Sequence, residues 1–181
     1  MGQITKLIIL DRDGVINFDS DRYIKSPEEW QPIPGSLEAI ARLTQHGWHI
    51  AIATNQAGIG RGLFDMATLN AMHAKLHRSV AQAGGRIEAI FYCPDTAEGN
   101  SPCRKPNPGM NIAIGERFNV PLAGVPSVGD SLRDMQAAAA VGARPILVLT
   151  GKGRKTEKEG GLPPGTDIYP DLAAVAAELC A

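Results

Sequence analysis

The sequence predicts an α/β fold with a doubly wound, mostly parallel sheet and no large cap domain, and three observations carry that expectation. Short apolar, β-branched runs alternate with amphipathic segments along most of the 181 residues. Polar residues fit for chemistry follow directly on those runs, and such sheets bind ligands beyond the carboxyl ends of their strands. The stretch between the first polar cluster and the first helix is too short to hold a separate cap. The whole chain, 1–181, reads as one domain, long enough to bury a core.

The elements follow in order. Residues 4–10 are apolar and end in a polar turn, so a fully buried strand is expected. After a proline-bearing loop, Leu37, Ile40 and Leu43 share one face of a helix at 36–46, stopped by Gly47. HIAIAT at 49–54 reads as the second strand, followed by a glycine-rich loop at 55–62. Asp65 caps a helix over 66–83 with Leu69, Met72, Leu76 and Val80 as its apolar stripe. A strand at 86–93 leads through a proline-rich segment to a helix at about 108–119. A short strand at 125–130, a helix at 132–141 and a strand at 144–150 come next. Residues 151–165 read as a basic, glycine-rich surface loop without regular structure. A short strand and a helix close the chain.

Composition narrows the partners. The chain is 44% apolar and 20% charged, with 18 basic and 19 acidic residues for a net charge of −1. That balance leaves no footprint for nucleic acid or an anionic membrane. The apolar run near the start is too short for a signal peptide, and no stretch is long enough to cross a bilayer. Three cysteines, Cys93, Cys103 and Cys180, suit a reducing compartment. A cytoplasmic monomer is the expectation.

The expected strand ends gather Asp11 and Asp13, then Thr54, Asn55 and Gln56, then Arg104 and Lys105, then Asp130 and Asp134. In a parallel sheet these sets converge on one crevice. Carboxylates alone repel a phosphate, so a hard divalent cation belongs between them and such a substrate. Lys105, Thr54 and backbone N–H groups suit the remaining phosphoryl oxygens. Asp13, two residues beyond Asp11, lies on the same side of an extended chain and is placed to protonate a leaving oxygen while Asp11 attacks. A calcium loop fits poorly, because Gly14 comes too early and Val15 and Ile16 follow it.

LDRDGVI, TNQ, RKPNPG and VGDSLRDM together resemble the haloacid dehalogenase superfamily of phosphatases, a Rossmann-like fold, over about residues 7–150. LDRDGVIN, Tyr23, ATNQAGIGRG, FYCP and CRKPNPGM are more closely similar to its heptose-1,7-bisphosphate 7-phosphatase and histidinol-phosphatase branch. The resemblance implies Asp11 as nucleophile, Asp13 as general acid/base, and Thr54 and Lys105 on the phosphoryl group. It implies Mg²⁺ on Asp11, Asp130 and the Asp13 carbonyl, and substrate contacts from Arg12, Asp19, Tyr23, Asn55, Gln56 and Arg104. A sugar-phosphate substrate follows from it, with a place in nucleotide-activated heptose and lipopolysaccharide biosynthesis. The alternatives are histidinol phosphate or another small phosphate ester and, outside enzymes, a phospho-aspartate signalling receiver.

Two departures from that branch stand out. A structural zinc loop of its relatives is reduced here to Cys93 and Cys103, with Asp95 and Ser101 at the other ligand positions, so no Zn²⁺ is expected. Ser131 stands where a lysine is common. His73 and His77, at i and i+4, read as helix-surface histidines; Lys152 to Lys158 reads as a solvated run, and Gly58, Gly60 and Gly62 as a flexible turn or a substrate gate. Asp134 has three open roles: orienting Lys105, binding a metal-bound water, or pairing with Arg133.

Overall fold

A computed structural model describes residues 6–181, so residues 4 and 5 of the expected first strand lie outside the described residues. Six parallel strands, β1 (Leu7–Leu10), β2 (His49–Asn55), β3 (Ala89–Cys93), β4 (Pro126–Gly129), β5 (Arg144–Val148) and β6 (Asp167–Tyr169), pair in the order β3-β2-β1-β4-β5-β6. The chain runs outward from β1 to β3 and then returns to pair β4 beside β1. That reversal creates the crevice in which doubly wound sheets bind their ligands.

Among the described residues seven α-helices accompany the sheet: α1 (Ser36–Gln45), α2 (Ala57–Gly60), α3 (Met66–Gln82), α4 (Gly109–Phe118), α5 (Leu132–Ala140), α6 (Gly153–Glu159) and α7 (Leu172–Leu179). Successive β1 side chains go to opposite faces. Ile8 and Leu10 join Ile40 and Leu43 of α1, Leu69 and Leu76 of α3 and Val175 of α7 in the larger core. Leu7 and Ile9 join Met110 and Ile114 of α4 on the other face. Burial on both faces explains why β1 reads as an unbroken apolar run.

Most expected elements are present within a residue or two. Asp65 caps α3, its Oδ1 accepting from Thr68 N–H at 2.9 Å. Three expectations need correction. The third strand begins at Ala89 rather than 86. Residues 55–62 hold the one-turn helix α2, where a Cβ on Gly58 would strike the Phe64 ring and one on Gly60 the Pro94 carbonyl; close packing, not flexibility, accounts for those glycines. Residues 151–165 contain α6, anchored by buried Gly153 and Thr156, so the loop expected there is in part a helix.

Candidate active site

The carboxyl ends of β1, β2 and β4, the segment before α4 and the start of α5 enclose a pocket of about 290 Å³. Asp11, Asp13, Asp19, Tyr23, Asn55, Gln56, Arg104, Lys105, Asp130 and Asp134 all contribute to its walls, so ten of the expected residues meet in one place. Thr54 is buried immediately beneath, its Oγ1 accepting from Gln56 Nε2 at 2.9 Å.

Asp11 continues β1, its N–H donating to Val128 O of β4 at 2.9 Å. Its Oδ1 accepts from Arg12 N–H at 2.8 Å and faces Lys105 Nζ at 3.1 Å, which leaves Oδ2 unengaged among the described residues. Burial, together with the neighbouring Asp134, pushes the Asp11 carboxyl well above the usual carboxylate range, against the pull of Lys105.

Lys105 is buried and its three donors are spent on Asp11, on Asp134 Oδ1 at 2.6 Å and on Ala53 O at 2.8 Å. Burial alone would lower its pKa, but Asp11 and Asp134 outweigh it and hold the ammonium charged. Its backbone is fixed from both sides by Asn55, whose Oδ1 accepts from Lys105 N–H at 3.1 Å and whose Nδ2 donates to Lys105 O at 3.2 Å.

Asp134 orients Lys105 and closes a capping box with Ser131 at the start of α5. Its Oδ2 accepts from Ser131 Oγ at 2.9 Å and from the N–H groups of Ser131 and Asp130 at 3.1 and 3.2 Å. Both oxygens are therefore committed; burial pushes the carboxyl up, but Lys105 and the hydrogen bonds from Ser131 together hold it below its usual range. Ser131 supplies this cap.

Asp130 sits beside two glycines that cannot be anything else. A Cβ on Gly14 (φ 85°) or on Gly151 (φ 55°) would land on the Asp130 carboxylate. Asp130 Oδ2 accepts from Lys152 N–H at 2.8 Å, and burial and Asp134 raise its pKa to about 7. Ligand oxygens of Asp11, Asp130 and Asp134 lie within 4.8 Å of one another. Hard carboxylate donors crowded around one lysine, their charge costly to hold by themselves, fit a divalent cation of the magnesium type.

Several expected contacts are corrected by the geometry. Arg12 does not line the pocket: it is 0% exposed and its guanidinium turns onto Asp13, with Nε donating to Oδ1 at 2.8 Å. His73 is buried rather than on the helix surface, while His77 is exposed as expected. Asn55 and Gln56 line the pocket, and their amides also bond within the protein, to Lys105 and to Thr54 and Asp13 respectively. Cys93 and Cys103 form a disulfide, which the expectation of a reducing compartment did not foresee, with Asp95 Oδ2 at 3.8 and 3.6 Å from their sulfurs.

Arg133 and Lys152 line the pocket and were not among the expected site residues. Lys152 Nζ lies 3.4 Å from Asp19 Oδ2, joining the start of α6 to the loop after β1. Burial and the nearby Arg133 both disfavour the charge of Arg104, and the two arginines line the pocket together. The signal for Lys152 was its place just beyond the end of the fifth strand.

The comparisons agree with this geometry. A family model described as "HAD-hyrolase-like" matches residues 102–175, and one described as polynucleotide kinase 3 phosphatase matches residues 6–131. The chain is 62% identical over 174 residues to a D-glycero-beta-D-manno-heptose-1,7-bisphosphate 7-phosphatase of Bordetella bronchiseptica, covering 96% of this chain and 97% of the relative. The same-named protein of Pseudomonas putida is 58% identical, with 96% and 99% covered. A solved structure of D,D-heptose 1,7-bisphosphate phosphatase from B. bronchiseptica, complexed with magnesium and phosphate, superposes with a TM-score of 0.95 over 97% of this chain and 98% of that one, at 62% identity. Its counterpart from Burkholderia thailandensis gives 0.79 at 54% identity, with 98% and 99% covered. The chain belongs to the D-glycero-beta-D-manno-heptose-1,7-bisphosphate 7-phosphatase family of haloacid-dehalogenase-like phosphatases.

Proposed function

We propose that this chain removes the 7-phosphate of D-glycero-beta-D-manno-heptose 1,7-bisphosphate, with Asp11 as nucleophile and Asp13 as general acid/base. The observation that carries the reading is that Asp11 and Asp13 face one pocket at the end of β1, with the Lys105 ammonium 3.1 Å from Asp11. Mg²⁺ held by Asp11, Asp130 and the Asp13 carbonyl would screen the carboxylates and draw phosphoryl oxygens toward them. The metal bound to the B. bronchiseptica relative supports that choice.

Each protein group then has a task. The Asp11 carboxylate attacks phosphorus as the bond to the sugar oxygen breaks, and Asp13 gives that oxygen a proton. Lys105 and Thr54 stabilise charge on the phosphoryl group. Asp13 next takes a proton from a water that attacks the aspartyl phosphate, releasing inorganic phosphate and restoring Asp11. Arg104 and Arg133 stand where a second phosphate of a bisphosphate would find cationic partners, and Asp19, Tyr23 and Lys152 border the sugar. Tyr23 holds a positive φ of 65°, a conformation that a surrounding structure must over-determine.

We take residues 1–181 as one catalytic domain, working as a monomer in the cytoplasm. Among the described residues no helix is long and apolar enough to cross a membrane. The test is a panel of purified-protein assays. Heptose 1,7-bisphosphate should be turned over at least about 100-fold more efficiently than histidinol phosphate or simple hexose phosphates, roughly the discrimination of one well-placed charged contact pair. Equal rates across the panel would overturn the substrate assignment and leave the chemistry standing.

A further inference from the structure

We propose that His73 is a positioning residue for the general acid/base: through Arg12 it fixes Asp13 so that only Oδ2 is left to exchange a proton with substrate. The inference rests on the reading of Asp13 given above and goes beyond it to a residue on a different element, 61 positions away from Arg12 in the chain.

Arg12 is wholly enclosed. A guanidinium does not give up its charge on burial, so its N–H groups require acceptors inside the protein. Nε donates to Asp13 Oδ1 at 2.8 Å and Nη2 lies 2.7 Å from the same oxygen. Asn17 Nδ2 donates to Oδ1 as well, at 2.9 Å. Oδ1 thus accepts two hydrogen bonds and also faces Nη2, which makes no directed hydrogen bond of its own. Among the described residues the other oxygen, Oδ2, accepts only from Gln56 Nε2 at 3.2 Å, and the Asp13 side chain is 22% exposed and lines the pocket. One oxygen is an anchor and the other is presented for chemistry.

The anchor needs its own support. Arg12 Nη1 points away from Asp13 and lies 3.2 Å from His73 Nε2. Arginine can only donate, so Nε2 must carry the lone pair and the ring its proton on Nδ1. Burial and the adjacent Arg12 depress the His73 pKa to about 4, which keeps that lone pair available around neutrality. A neutral acceptor suits the place: it satisfies Nη1 and leaves the whole guanidinium charge directed at Asp13. A carboxylate there would compete with Asp13 for Arg12. Leu69, Met72 and Leu76 hold α3 firmly in the larger core, so the ring is delivered on a rigid element.

The experiment uses the full chain with Mg²⁺ and reads kcat/KM on two substrates. Heptose bisphosphate leaves as a sugar alkoxide and requires a proton; dinitrophenyl phosphate leaves as a stable phenolate and does not. His73→Leu should lose about 10- to 100-fold on the heptose bisphosphate, part of what acid catalysis contributes, and under about threefold on the dinitrophenyl ester. His73→Gln, which still offers Arg12 an acceptor, should recover most of that loss. His73→Glu carries the same test should the leucine variant not fold, again with the larger loss on the sugar substrate. Equal losses on both substrates, or none on either, overturn the proposal. Asp13→Asn is the control. If it leaves the sugar substrate unaffected, the reading of Asp13 fails and the His73 inference with it; if it is impaired while the His73 variants are not, only the inference fails.

Discussion

Lys105 Nζ stands 2.6 Å from Asp134 Oδ1, with both side chains buried at the floor of the pocket. The pair works because each member is held elsewhere as well, Lys105 by Ala53 O and Asp134 by the capping box of α5. Removing one member leaves the other a buried charge with too few partners. Asp134→Ala should therefore cost about 3–5 kcal/mol of stability in chemical unfolding. Its turnover at a temperature where it remains folded should also fall, since Lys105 is no longer aimed. A variant of parental stability would contradict this role.

Gly14 tests the fit between backbone and metal site. Its φ of 85° disfavours any side chain, and a Cβ there would meet the Asp130 carboxylate. Gly14→Ala should lower kcat by about 100-fold, the scale of a misplaced reacting group. The rise in Tm that Mg²⁺ produces should be lost in parallel. Calorimetry with and without Mg²⁺ separates this from simple destabilisation, which would leave the rise intact.

The helix α6 is fastened by a hydroxyl. Thr156 Oγ1 donates to Asp130 O at 2.8 Å from a buried position. Thr156→Val keeps the shape and removes the donor, leaving a buried carbonyl short of a partner. We expect a loss of about 1–3 kcal/mol in urea unfolding. The Mg²⁺ requirement should rise as well, because Lys152 N–H reaches Asp130 from the same helix start.

That helix also shows where the sequence was hard to read. GKGRKTEKEGG has no apolar stripe, so periodicity is silent, and its anchors are a threonine hydroxyl and a buried glycine. The sheet was legible for the opposite reason: residues 7–10, 50–53 and 145–148 are apolar because both faces are covered. Ten expected residues line the pocket because a parallel sheet brings strand ends together whatever their separation in the chain. For His73 the pattern held the answer, since the spacing 69, 73, 76, 80 puts it on the buried stripe of α3. Nothing in the sequence showed that Arg12, expected to contact substrate from the resemblance, is buried between Asp13 and His73; only the tertiary fold brings those three together.

His73 also ties stability to pH. Its folded pKa of about 4 lies below the ordinary value of 6.5, held down by burial, Arg12 and His77 against the opposing pull of Asp13. Above pH 6.5 the ring is neutral in both states and contributes nothing. As pH falls toward about 4 the unfolded chain takes up a proton that the folded protein refuses, so stability is lost. Between parent and His73→Gln, the unfolding free energies should shift in the variant's favour by on the order of 3 kcal/mol across that window. A difference that stays flat with pH would place His73 in an unperturbed environment.

The nucleophilic role of Asp11 is open to direct chemical capture. Rapid acid quench of the Asp13→Asn protein with radiolabelled dinitrophenyl phosphate, whose leaving group needs no proton, should trap label on the chain, because the acyl phosphate still forms while its hydrolysis lacks the base. The label should be removed by hydroxylamine, as an acyl phosphate is, and should map to the peptide that contains Asp11. Label on any other residue, or turnover without protein-bound label in a protein whose Asp11 is replaced by asparagine, would contradict attack by Asp11.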